Sequence, residues 1–125
     1  MKTINELVHE AHSNAVSKGR WEEHRTFGEL IALMHSELSE ALEDFRNNEP
    51  ITINWYEKKE DGRVRTEVIQ IDDTWKPCGI PSELADVVIR VFDACGRYGI
   101  DLEEAIQEKM AYNATRPQRH GGKKI

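Results

Sequence analysis

Three times in these 125 residues a capping side chain stands three places ahead of a glutamate and is followed by apolar residues at helical spacing: Thr3-x-x-Glu6, Thr26-x-x-Glu29 and Asp101-x-x-Glu104. In such a capping box the first side chain takes up an orphan N–H of the opening turn, and the glutamate reaches back to the first residue's own N–H. Each box fixes a helix start, so the chain is constrained to a mainly helical fold. Behind the first box Ile4, Leu7, Val8, Ala11, Ala15 and Val16 form one stripe that runs out at Gly19. Behind the second, Phe27, Leu30, Ile31, Met34, Leu38, Ala41, Leu42 and Phe45 form a longer one, with an end expected at Asn47 or Asn48, ahead of Pro50. A third helix is expected to start at Pro81 and Ser82, to carry Leu84, Val87, Val88, Val91, Phe92 and Cys95, and to stop before Gly99. Ile89 lies on its other side, which implies a second buried contact such as another subunit. The last box opens a fourth helix with Leu102, Ala105, Ile106 and Met110.

Between residues 51 and 71 the period changes from helical to alternating. Ile51, Ile53 and Trp55 alternate with polar residues, Asp61-Gly62 is a hairpin-turn dipeptide, and Val64, Val68, Ile69 and Ile71 follow. A β-hairpin is expected there, and with Asp61 and Gly62 as its loop Trp55 falls opposite Val68. An isolated hairpin is marginal in water, so it must pack on helices or on a second subunit. The stretch Trp75-Lys76-Pro77-Cys78-Gly79 reads as irregular. The length suits one domain over residues 1–125, with a basic, flexible tail from about 115 to 125.

A formal net charge of −6 argues against a protein that coats DNA or RNA. No run approaches the roughly 18 apolar residues of a membrane span, and the N-terminus lacks a signal-peptide core, so a cytoplasmic location is expected. Cys78 and Cys95 have neither the spacing of a zinc site nor that of a disulfide framework, and are read as reduced and structural. With 38% apolar and 32% charged residues the core must be modest, which makes association plausible.

The second helix holds Glu37-Leu38-Ser39-Glu40 with Asp44 one turn on, and a helical wheel sets these acids at one edge of the apolar stripe. The third helix repeats the device in Glu83-Leu84-Ala85-Asp86. Packed through their stripes, the two helices would bring four or five carboxylates together, a cluster that repels itself unless cations occupy it. Oxygen ligands at this spacing suit Mg²⁺ or Mn²⁺ rather than zinc. One such pair is common on solvated helices; two pairs that both border the core stripe are more informative.

The order Glu37-x-x-Glu40, Glu83-Leu84-Ala85-Asp86-Val87-Val88, Tyr98-Gly99-Ile100-Asp101-Leu102-Glu103-Glu104-Ala105 and Lys109-x-x-x-Asn113-x-x-Arg116 resembles the MazG-like branch of the all-α nucleoside triphosphate pyrophosphatases. The resemblance covers the second, third and fourth helices. It implies a four-helix-bundle-like all-alpha fold, here with an inserted hairpin, in which Glu37, Glu40, Glu83 and Asp86 bind the metal and Lys109 and Asn113, with Arg116 a weaker candidate, contact the triphosphate. It also implies hydrolysis between the α and β phosphates to a monophosphate and pyrophosphate, in nucleotide-pool house-cleaning, by a homodimer or homotetramer. Glu40 is the candidate to orient or deprotonate the attacking water. The family's link between the two acidic helices is short, whereas residues 41–82 fill it here, so the insert could cover the base, extend the subunit interface or bind a partner by its edges.

Past Arg116, Arg119, His120, Lys123 and Lys124 form either a phosphate-binding arm or a solvated tail. His9 and His12 read as a surface pair, the three tryptophans as core, interface or base-stacking residues, and His35 points away from the acids. Two other functions fit the same residues: a pyrophosphohydrolase of another nucleotide metabolite such as a phosphoribosyl nucleotide, and a non-catalytic helical interaction module.

Overall fold

The computed structural model describes residues 1–117; the remainder of the basic tail, residues 118–125, lies outside the described residues. The described chain is mainly α, with α1 (Ile4–Ser17), α2 (Phe27–Arg46), α3 (Ile80–Tyr98) and α4 (Leu102–Thr115), and between α2 and α3 the strands β1 (Trp55–Glu60), β2 (Arg63–Glu67) and β3 (Lys76–Cys78).

The helix starts follow their caps. Thr3 and Thr26 each accept from the glutamate N–H at 3.1 Å, and Glu6 and Glu29 reach back to the threonine N–H, so both boxes close. Asp101 accepts from Glu104 N–H at 3.1 Å. The ends use the left-handed region, with Gly19 at φ 81°, Asn48 at φ 65° and Gly99 at φ 68°.

Contacts group the chain into two compact units: Met1–Arg20 with the chain from Phe92 onward, and Trp21–Val91. In the first, Val8, Ala15, Ala94 and Cys95 are buried. Gly96 lets α1 approach closely: a Cβ there would lie 2.5 Å from the His12 Cβ. His12 Nδ1 meets Asp93 Oδ1 at 2.8 Å, so His12 belongs to a half-buried polar contact and is not one of a surface pair with His9. The starts of α1 and α4 are latched as well, since Asn5 Nδ2 donates to Asp101 and Asn5 exchanges two 3.3 Å hydrogen bonds with Glu103.

The second unit holds α2, the sheet and the first part of α3. The sheet is antiparallel in the order β2-β1-β3. Asp61 and Gly62 both take positive φ, as a type I′ turn requires, and the pairing Glu60↔Arg63 to Tyr56↔Glu67 is the register expected from the sequence. The ladder is shorter than residues 51–71, because Ile51 and Ile53 precede β1 and Val68, Ile69 and Ile71 follow β2. The stretch read as irregular instead supplies a strand: Trp55 pairs with Cys78 and Tyr56 with Pro77. Pro77 is tolerated because β3 is an edge. Leu30, Ala41, Trp75, Cys78 and Ile80 are buried. Arg65 lies over the Trp75 ring, 5.2 Å from its centre, and Gln70 donates to the Trp75 carbonyl.

Much apolar surface stays open. Phe27, Ile31, Leu38, Leu42 and Phe45 on α2 and Leu84, Val88 and Ile89 on α3 are exposed. No helix among the described residues is long and apolar enough to cross a membrane.

Candidate metal centre

The start of α3 is fixed by the sheet. From Cys78, the last residue of β3, the chain turns through Gly79 at φ 101°, where a Cβ would lie 2.7 Å from the Ile53 carbonyl oxygen. Asn54, just ahead of β1, then accepts from both the backbone N–H and the hydroxyl of Ser82, at 3.1 and 3.0 Å. The next residue is Glu83. The insert thus anchors the helix turn that carries two of the four expected metal-binding acids, a role not foreseen from its sequence.

Across from that turn stands the acidic edge of α2. Glu37, Glu83 and Asp86 offer carboxylate oxygens that all lie within 4.8 Å of one another. Glu40 is not one of the three, but it stands close enough to Glu83 to help raise it. Three of the four acids expected at the metal are therefore brought together in the second unit, with Glu40 beside the cluster and not in it. Burial, then the hydrogen bond and charge of Glu40, then Asp44 and Asp86, push Glu83 up from 4.5 to about 7. Asp86 is exposed, yet it too is raised, first by loss of surrounding water and then by Glu37 and Glu40, against the opposing charges of Arg90 and Lys76. Asp44 is raised by burial, by Glu49 and by Glu40.

Two participants escaped the sequence reading. Arg90 Nε donates to Glu37 Oε1 at 2.7 Å; its place four residues after Asp86, on the same helix edge, was the available signal. Glu49 accepts from Trp55 Nε1 at 2.7 Å and its charge helps raise Asp44, so it links the sheet to the acidic edge. Trp75, by contrast, is buried.

The donor set fits a hard divalent cation. Every ligand in the cluster is a carboxylate oxygen, and His35 opens instead onto a groove with Leu38, Leu42 and Phe45. The Cys78 thiol is pushed up by burial and then by Glu57, which disfavours its thiolate.

Lys109, Asn113 and Arg116 lie in the first unit, exposed on and just past α4, with the Arg116 guanidinium 5.7 Å from the centre of the Tyr112 ring. Arg119, His120, Lys123 and Lys124 fall outside the described residues. Compared with family models, characterised proteins and solved structures, the chain matches none of them.

Proposed function

We propose that this chain is a Mg²⁺-dependent nucleoside triphosphate pyrophosphohydrolase with the MazG-like, all-α pyrophosphatase fold that its motifs resemble. The observation that carries the reading is the meeting of Glu37, Glu83 and Asp86 from two helices within 4.8 Å. Acids so close, with Glu83 and Asp86 raised partly by neighbouring carboxylates and only partly offset by Arg90, favour a bound cation.

Bound there, Mg²⁺ would neutralise phosphate charge and acidify the attacking water. Glu37, Glu40, Glu83 and Asp86 are the proposed ligands; Mn²⁺ would fit the same donors. In the reaction the water oxygen bonds to the α-phosphorus, and the bond from that phosphorus to the oxygen bridging to the β-phosphate breaks. Pyrophosphate leaves with the bonding electron pair. Glu40, whose charge acts on Glu83, is the acid assigned to orient the water and accept its proton.

The resemblance assigns Lys109, Asn113 and Arg116 to the triphosphate. The support in this chain is that Lys109 and Asn113 share an exposed face of α4 one turn apart, with no acid paired to Lys109 among the described residues. The open apolar stripe of α2 supports a homodimer or homotetramer.

The test is pyrophosphate release from a panel of ribo- and deoxyribonucleoside triphosphates with Mg²⁺ or Mn²⁺, for the wild type and Glu37→Gln. Metal-dependent release lost in the variant is expected. Absence of release from every triphosphate would overturn the proposal and favour another pyrophosphate-containing substrate.

A further inference from the structure

Building on the proposed function, we infer that Arg90 is a phosphate-binding residue of the same site, which holds Glu37 through Nε and presents its terminal amino groups to the substrate's phosphate oxygens. Glu83, Asp86 and Arg90 follow one another at i, i+3 and i+7 on α3, so one helix edge carries two proposed metal ligands and then a guanidinium. The Arg90–Glu37 contact is largely withdrawn from water, with side-chain exposures of 27% and 14%.

A residue kept only to neutralise Glu37 would be expected to pair through both prongs of the guanidinium fork, the strongest geometry for a carboxylate. Arg90 does not. It uses Nε alone, and its terminal amino groups make no hydrogen bond to any described residue. Four of its five N–H donors are therefore not used by any described residue and, with 27% of the side chain exposed, are open to water or to a ligand that displaces it. The proposed reaction brings a stronger acceptor than water to this place: phosphate oxygens beside the metal, with charge growing on the departing pyrophosphate. A planar, permanently charged donor fork fits phosphate oxygens in a way that a lysine does not.

A fixed cation among metal ligands competes with the metal, so an arginine there weakens metal binding in the empty site. Its presence is accounted for when substrate and metal arrive together, since the triphosphate carries more negative charge than one divalent ion offsets.

The experiment compares the wild type, Arg90→Met and Arg90→Lys in three measurements: Mn²⁺ binding alone, binding of inorganic tripolyphosphate at saturating Mn²⁺, and kcat and KM for the best triphosphate. Arg90→Met is expected to bind Mn²⁺ at least as tightly as the wild type. It is also expected to lose tripolyphosphate affinity at least tenfold and kcat on the order of 100-fold, the usual loss when one donor to a developing oxyanion is removed. Arg90→Lys should recover less than a tenth of the lost kcat, and it carries the test should Arg90→Met not fold. Wild-type tripolyphosphate affinity in these variants, or a kcat loss fully reversed by saturating Mn²⁺, would overturn the inference and leave Arg90 as a positioning partner of Glu37. If the wild type binds Mn²⁺ and tripolyphosphate while the variants match it, the Arg90 inference alone falls. A wild type that binds no Mn²⁺ overturns the proposed function, and the inference with it.

Discussion

Acidic residues at the helix starts and acidic residues on the facing edges of α2 and α3 are the same chemical groups in opposite circumstances. At the starts, Glu6 and Glu29 are held below their ordinary value by hydrogen bonds from their cap threonines, and Asp101 by Asn5 and the Glu104 N–H. On the α2 and α3 edges, Asp44, Glu83 and Asp86 are all held above it, by burial first and by other acids next. The first set is satisfied within the chain and serves the fold. The second is only partly offset, by Arg90 and Lys76 at Asp86, and the proposed function gives it a cation from outside. Glu83 and Asp86, two of the proposed ligands, are thus separated from the capping carboxylates by the sign of their displacement, and the two sets should respond oppositely to substitution, pH and metal.

The largest expected effect comes from the second set. Glu83→Gln removes a proposed ligand and should lower pyrophosphate release on the order of 1000-fold, since metal ligation supplies several kcal/mol of transition-state stabilisation. The same change should leave the metal-free protein as stable as the wild type, or more so, near neutral pH, because a repelled carboxylate is gone. A marked loss of metal-free stability would show instead that Glu83 serves the fold.

Next comes the hinge between sheet and site. Gly79→Ala forces φ 101° on a residue with a Cβ and brings that atom to 2.7 Å from the Ile53 oxygen. Thermal or denaturant unfolding should show a loss of about 1–3 kcal/mol, and metal affinity should fall with it because Glu83 and Asp86 ride on the displaced turn. Stability lost with metal affinity intact would separate the sheet from the site. In the satisfied set, Thr26→Ala should cost about 1 kcal/mol and leave metal affinity unchanged.

The smallest effect is in the pH profile, where the two sets pull in opposite directions. Glu83 titrates near 7 in the folded chain against 4.5 unfolded, so the folded state holds a proton that the unfolded state has released. Its contribution is fully present below 4.5 and is lost as pH rises through 7. The capping carboxylates are lowered, so theirs is present above their unfolded values and is lost as pH falls through the folded ones. Metal-free protein should therefore be most stable in mildly acidic solution, and saturating Mg²⁺ should shift that optimum upward. Calorimetry across the pH range, with and without Mg²⁺, checks it; an optimum indifferent to Mg²⁺ would break the comparison.

What could be read from the sequence follows the range of the interactions. The caps at Thr3, Thr26 and Asp101, the glycine stop at Gly99 and the turn at Asp61-Gly62 are decided within a few residues, and the structure has helices and a hairpin where those signals lie. The acidic edges were legible because helical periodicity carries residues three and four apart onto one face. Strand β3 was not, since Lys76-Pro77-Cys78 has a breaker at its centre and becomes a strand only through pairing with Trp55 and Tyr56. The same holds for Asn54 on Ser82, Arg90 on Glu37 and His12 with Asp93, where each partner lies on another element and no local pattern names it.

The most direct test of the central claim is an Mn²⁺ binding isotherm on the wild-type chain without nucleotide, at about pH 6 and about pH 8, on either side of the Glu83 titration. Saturable binding is expected, tighter at the higher pH, where Glu83 has released its proton. Absence of saturable binding at both values would contradict it, and would return these carboxylates to the surface of a helical protein with some other purpose.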